Sequence, residues 1–251
     1  YCNAEGDLNP EVRTQTGYLL ALRNDLLLPE RRPAAVAALK QKIIDNGYKL
    51  STGFVGSCIL NEVLAEFGEN DLAYSLLLQT ENPSWLYSVH QGATTIWERW
   101  NSYTKATGFG DVGMNSFNHY AYGAVQEWMY RHIAGIETTE QAPGFAHPIL
   151  QPKPDTRSAE EIPAGQEKIT WVRTSFASPV GLIESAWDMT DGFTYTCRVP
   201  VAATLHLPLI GNAETLVING VAHKPDEFRL CPVGKGVTIE LAPGAYTIEQ
   251  K

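Results

Sequence analysis

The sequence predicts an α plus β multidomain chain, with a helical domain over residues 1–140 and an antiparallel β-sandwich over residues 141–251. Three observations carry this. Apolar residues recur at helical spacing as far as about Ala134. The run from Gln141 to Asp155, QAPGFAHPILQPKPD, then holds four prolines and no helical period, as a linker or extended strap would. From Lys168 onward the pattern is two-fold, in short β-rich runs separated by turns.

The elements follow in order. Asn9-Pro10 reads as a helix start, with Val12, Thr16, Leu19, Leu20 and Leu26 on one face through Leu28. Pro29 and Arg31-Arg32 make the turn, and Pro33 opens an alanine-rich helix that stops at Asn46-Gly47. A third helix is predicted from about Val55 to Phe67, closed by Gly68. A fourth runs from Asn70-Asp71 to about Gln79, a fifth starts after Gly92, and a sixth spans roughly Asn118 to Ala134 before Gly135. These are antiparallel helical hairpins, since no strand alternates with them. Seven strands are then predicted: Thr170–Phe176, Gly181–Trp187, Phe193–Val199, Thr204–Leu207, Leu216–Ile218, Val237–Leu241 and Ala245–Ile248. Asp191-Gly192 and Asn219-Gly220 supply turn pairs, and the spacing fits a sandwich.

Composition narrows the function. The apolar fraction of 44% supports a sizeable core, while a net charge of −9 argues against nucleic acid and anionic membranes, which call for basic patches. No apolar run approaches the roughly 20 residues that cross a bilayer. Tyr1 opens a polar stretch without the features of a signal peptide, and there is no initiator Met, so the sequence reads as mature, trimmed or cut from a longer chain. Cys2, Cys58, Cys197 and Cys231 are widely spaced, with no CxxC pair for zinc. Four thiols are the simpler reading, two disulfides the other, and the compartment stays open. Asn82 is no glycosylation site, because Pro83 follows it.

The segment from Asn82 to Trp100, NPSWLYSVHQGATTIWERW, concentrates Trp85, Trp97, Trp100, Tyr87 and His90 around one carboxylate, Glu98. A second aromatic and polar cluster, MNSFNHYAY, spans Met114–Tyr122. Flat aromatic faces stack against the C–H faces of a sugar ring, and its hydroxyls need polar partners. Glu98 sits between Trp97 and Arg99. The indoles would strip water from its carboxylate, whereas Arg99 would hold it ionised. A plainer role competes, because Thr95-Ile96-Trp97-Glu98 also fits a capping box at a helix start. Each tryptophan alone is as well explained by a core. His119, near Asn115, Asn118 and Tyr122, is a better polar candidate than His90. Gly53–Gly56 lacks a phosphate-cradling motif, there is no GxSxG, and Asp111 in its glycine-rich loop reads as a turn residue. No histidine pair has metal-ligand spacing, so no metal or other cofactor is expected.

At these residues the chain resembles the glycoside hydrolase family 78 α-L-rhamnosidases. GATTIWERW at Gly92–Trp100 and MNSFNHYAYGAV at Met114–Val125 carry the resemblance. TQTGYLLAL at Thr14–Leu22, STGFVG at Ser51–Gly56, DLAYSLLLQTENPSWLY at Asp71–Tyr87 and YRHIAGI at Tyr130–Ile136 support it in the same order. The resemblance implies a partial (α/α)6 barrel, its second half, followed by the family's C-terminal sandwich. It implies hydrolysis of terminal α-L-rhamnosides with inversion, in which an acid and a base stand roughly 6.5–9.5 Å apart. It also implies Glu98 as the general base, His119 on a sugar hydroxyl, and Trp85 and Trp97 around the ring and its methyl group. The general acid belongs to a motif that residues 1–70 do not contain. The expected partners are therefore a rhamnose-containing glycoside and the missing N-terminal part of the same polypeptide, and this chain alone should be nearly inactive. Two other readings remain: a non-catalytic carbohydrate-binding module, and a related barrel glycosidase or lyase acting on another sugar.

Overall fold

A computed structural model describes residues 1–3, 6–232 and 234–251. The chain forms two compact units, one of residues 1–126 with 156–168, the other of residues 127–155 with 169–251.

Among the described residues the first unit is built on five helices: α1 (Gln15–Arg23), α2 (Arg32–Asp45), α3 (Phe54–Glu66), α4 (Asn70–Leu77) and α5 (Trp85–His90). α1 starts later than Asn9-Pro10 predicts. Thr14 caps it by accepting the Gly17 N–H at 3.0 Å, while Pro10–Val12 form a separate 3-10 turn. α2 buries Ala35, Val36, Leu39 and Ile43, one stripe of a helix, and ends where Asn46-Gly47 predicts. α3 is buried on several sides, through Leu60, Val63 and Leu64, and packs against α1 and α4. Gly56 makes the α1 contact possible, since a Cβ there would lie 2.6 Å from Thr16 Oγ1.

Two predicted helices differ. No helix follows Gly92; residues 93–102 are turns and extended backbone. The β-branched run Thr94-Thr95-Ile96 disfavours a helix there. The helix of this region is α5, just before it, capped by Ser84 Oγ accepting from Tyr87 N–H at 3.1 Å. The predicted sixth helix is divided into a 3-10 turn at Ala121–Ala124, α6 (Val125–Trp128) and a π-turn at Met129–Ile133. A small hairpin, β1 (Tyr103–Thr104) with β2 (Gly108–Phe109), completes the unit.

Residues 156–168, expected within the sandwich, cluster with the helical unit. Arg157, only 1 % exposed, is the reason. Its Nη1 donates to Ser75 Oγ and Gln166 Oε1, each at 3.1 Å, its Nη2 donates to the Glu167 carbonyl, and its guanidinium lies 5.9 Å from the Tyr74 ring centroid. A buried cation needs such a set of acceptors.

The second unit holds two sheets. β3 (Ile136–Glu137), β4 (Ile149–Leu150), β8 (Ala203–Pro208), β11 (Arg229–Leu230) and β12 (Gly236–Leu241) form one, in the order β11-β12-β8-β4-β3. β5 (Trp171–Ser178), β6 (Gly181–Asp188), β7 (Thr194–Val199), β9 (Leu216–Ile218), β10 (Val221–His223) and β13 (Gly244–Gln250) form the other, in the order β10-β9-β13-β7-β6-β5. Among the described residues all strand pairs are antiparallel except β4 with β8, which are parallel. The alternation read from the sequence sends Ile183, Trp187, Tyr195, Val199, Leu205, Leu207, Val237, Leu241 and Ile248 inward, all buried. Asn219-Gly220 turns β9 into β10 with both residues at positive φ, the two-residue geometry that pair favours. Gly135 (φ 74°) is obligatory, as a Cβ would meet the Gln151–Pro152 backbone at 2.1 Å. Among the described residues no disulfide joins Cys2, Cys58, Cys197 or Cys231.

Candidate active site

Two loop segments run beside each other in the helical unit. Glu98 N–H donates to the Ser116 carbonyl at 2.9 Å, and His119 N–H donates to the Ile96 carbonyl, also at 2.9 Å. Thr95 Oγ1 adds a bond to the Phe117 carbonyl. The TTIWERW motif and the MNSFNHYAY cluster are thereby held strand-like against one another, although neither forms a named strand. This pairing removes the capping-box alternative: Glu98 starts no helix, and its Oε2 accepts from Ser116 N–H at 2.8 Å, eighteen residues away.

His119 is positioned by its ring. Phe54, at the start of α3, stacks on it with centroids 4.6 Å apart and planes 20° apart. Its Nδ1 accepts from Ala121 N–H at 3.3 Å, which places the ring proton on Nε2 as a donor. Sequence reasoning missed Phe54, whose only signal was its place within STGFVG.

The indoles gather separately. Trp85 is 8 % and Trp97 6 % exposed. They line a cleft of about 320 Å³ together with Ile96, Trp100 and Tyr122. Trp85 Nε1 donates to the Tyr122 carbonyl at 2.8 Å, satisfying its buried N–H. Tyr122 stacks on Trp100 at 3.7 Å, and Trp100 meets Trp85 edge-on at 5.5 Å. Trp97 is braced edge-on by Phe117 and Tyr103. Burial pushes the Tyr122 phenol above its ordinary value; Cys58 adds to this, Arg99 opposes it, and Glu98 adds a smaller push. Burial likewise raises the Cys58 thiol. The structure thus brings Trp85 and Trp97 into one cleft, while Glu98 and His119 lie on the paired loops and not among the cleft's lining residues. Asp111 is a turn residue, its Oδ1 accepting from Gly113 N–H at 2.9 Å. Among the described residues no group of three His, Cys, Asp or Glu is placed to hold a metal ion.

The helical unit bears an aromatic cleft, and the second unit holds two β-sheets. Residues 1–133 match the bacterial alpha-L-rhamnosidase 6 hairpin glycosidase domain, and residues 135–221 the bacterial alpha-L-rhamnosidase C-terminal domain. The chain belongs to this bacterial alpha-L-rhamnosidase family. It is 46% identical over 216 residues to an alpha-L-rhamnosidase of Formosa agariphila, covering 85% of this chain and 22% of that protein. The Streptomyces avermitilis alpha-L-rhamnosidase, solved with L-rhamnose, superposes with a TM-score of 0.82 at 33% identity, covering 100% of this chain and 22% of that one. The Aspergillus terreus alpha-L-rhamnosidase gives 0.77 at 30% identity, covering 98% and 25%. The chain therefore spans a quarter or less of the length of these relatives.

Proposed function

We propose that the polypeptide containing this chain hydrolyses terminal α-L-rhamnosides with inversion, and that residues 1–251 supply the general-base half of its site. Residues 1–140 are assigned to the catalytic barrel and residues 141–251 to the sandwich, save that residues 127–140 cluster with the sheets and residues 156–168 with the helices. Glu98 takes a proton from the water that attacks the anomeric carbon. The new C–O bond forms on one face of the sugar as the glycosidic C–O bond breaks on the other, and the leaving oxygen receives a proton from an acid outside this chain. His119 donates through Nε2 to a sugar hydroxyl, and Trp85 and Trp97 wall the ring and its methyl group.

The observation that carries this reading is the bond from Ser116 N–H to Glu98 Oε2. It fixes the carboxylate by one oxygen, and Oε1 is the oxygen we assign to the water. One observation favours a binding module instead, since the indole cleft does not include Glu98 among its lining. Assaying an aryl α-L-rhamnoside with residues 1–251 alone, and with the same residues in the full-length polypeptide, tests the assignment. Activity is expected only in the second. Full activity from the first would require a carboxylate of this chain, such as Asp111, to serve as the acid.

A further inference from the structure

The outward face of the sandwich carries a second concavity, far in sequence from the indole cleft. On β5, β6 and β7 the pairing aligns Trp171 with Asp188 and Asp188 with Thr194. One step along the same face, Arg173 aligns with Ala186 and Ala186 with Thr196. Residues two apart on a strand share a face, and adjacent strands lie about 4.8 Å apart. The two rows thus bound a patch roughly 10 Å by 7 Å, close to the footprint of one sugar ring. The alanine in the middle leaves a floor without a projecting side chain, while Trp187 and Tyr195, on the opposite face, are buried in the core. The trough on this face measures about 470 Å³, is lined by Arg173, Ala186, Asp188, Thr194 and Thr196, and continues into the β6–β7 turn at Thr190 and Asp191; Trp171 is not part of its lining and adjoins it through its pairing with Asp188.

Trp171 is 58 % exposed, which a large indole on a sheet face does not owe to packing. The Arg173 guanidinium lies 5.7 Å from its ring centroid and steadies it. Asp188 is fixed too: its Oδ1 accepts from Thr190 N–H at 2.8 Å. Hydrogen bonds from the Thr190 backbone and side chain hold its carboxyl below the ordinary carboxylate range, so it stays an acceptor at neutral pH.

We propose that this trough and the exposed Trp171 beside it form a second carbohydrate site, in which an uncharged sugar ring stacks on Trp171 at the margin and its hydroxyls bond Asp188, Thr194, Thr196 and Arg173. The charges argue for a neutral ligand, because one arginine faces two aspartates and offers an anion no net attraction. This site needs neither Glu98 nor the indole cleft, so it stands or falls apart from the hydrolytic reading.

Backbone amide shifts of residues 1–251, titrated with methyl α-L-rhamnoside, with a neutral disaccharide and with galacturonate, test it. The neutral sugars are expected to shift residues 171–173 and 186–196. Trp171→Ala should weaken that binding about three- to tenfold, the range of a lost aromatic contact, and Trp171→Phe should restore most of it. Near-UV circular dichroism from buried Trp187 and Tyr195 reports that each variant is folded. Absence of shifts in this patch, unchanged affinity in Trp171→Ala, or preference for galacturonate would each overturn the proposal.

Discussion

Glu98 and Ser116 are joined twice: Ser116 N–H donates to Glu98 Oε2 at 2.8 Å, and Glu98 N–H donates to the Ser116 carbonyl at 2.9 Å. The first bond leaves the carboxylate little rotational freedom, and the second fixes the backbone from which it projects. The next bond along, from His119 N–H to the Ile96 carbonyl, sets the histidine in the same frame. Held this way, the base and the sugar-contacting donor proposed above would need little reorganisation when substrate arrives.

His119→Ala in the full-length polypeptide is expected to weaken L-rhamnose binding by about 1–3 kcal/mol, because a buried sugar hydroxyl loses its partner. His119→Gln keeps a donor and should recover part of the loss. Phe54→Leu keeps the donor but removes the stacked ring, so it should give a smaller loss of the same sign. Calorimetry with free rhamnose checks all three, and unchanged affinity throughout would place His119 in a purely structural role.

Arg157→Met keeps bulk but removes the donors to Ser75, Gln166 and the Glu167 carbonyl. Acceptors left buried and unpaired should cost about 2–4 kcal/mol. Hydrogen exchange is the direct readout, with protection falling in residues 70–77 and 156–168. An unchanged denaturation midpoint would show that the strap is held by other contacts.

Elements specified by neighbouring residues were legible in the sequence. Asn219-Gly220 needs only its own two positive φ angles, and the alternation of β5 to β7 needs only the period of two. What was hidden depends on distant partners. Thr95–Glu98 reads locally as a capping box, but the segment pairs with residues 116–119 and starts no helix. The bond between Ser116 and Glu98 could not be read from either motif. α5 did carry a local signal, Ser84 placed to cap the Tyr87 N–H. Arg157 lies just past the proline-rich run, in a polar stretch without an assigned element, and its burial rests on Tyr74 and Ser75 of α4 together with Gln166 and Glu167.

The sandwich is expected to lose stability as pH falls from about 7.5 to 5. Burial, foremost, lowers His206 below the ordinary histidine value; Glu240 opposes this and Arg229 adds to it. A histidine depressed in the folded state binds its proton more readily when unfolded. Stability is then full above the unfolded value of about 6.5 and declines below it as the unfolded chain takes up the proton. His206→Gln, which can still bond Thr238, should flatten this part of the profile. Denaturation midpoints of both proteins at the two pH values check it, and identical slopes would remove His206 from the account.

Glu98 is the proposed general base. The most direct measurement is kcat for an aryl α-L-rhamnoside with Glu98→Gln in the full-length polypeptide. The amide keeps the shape and can still accept the Ser116 N–H, but it cannot take the proton of water. The account predicts a fall of about 10²-fold or more in kcat with little change in KM. Turnover equal to that of the unsubstituted enzyme would contradict it and leave Glu98 as the fastener of two loops.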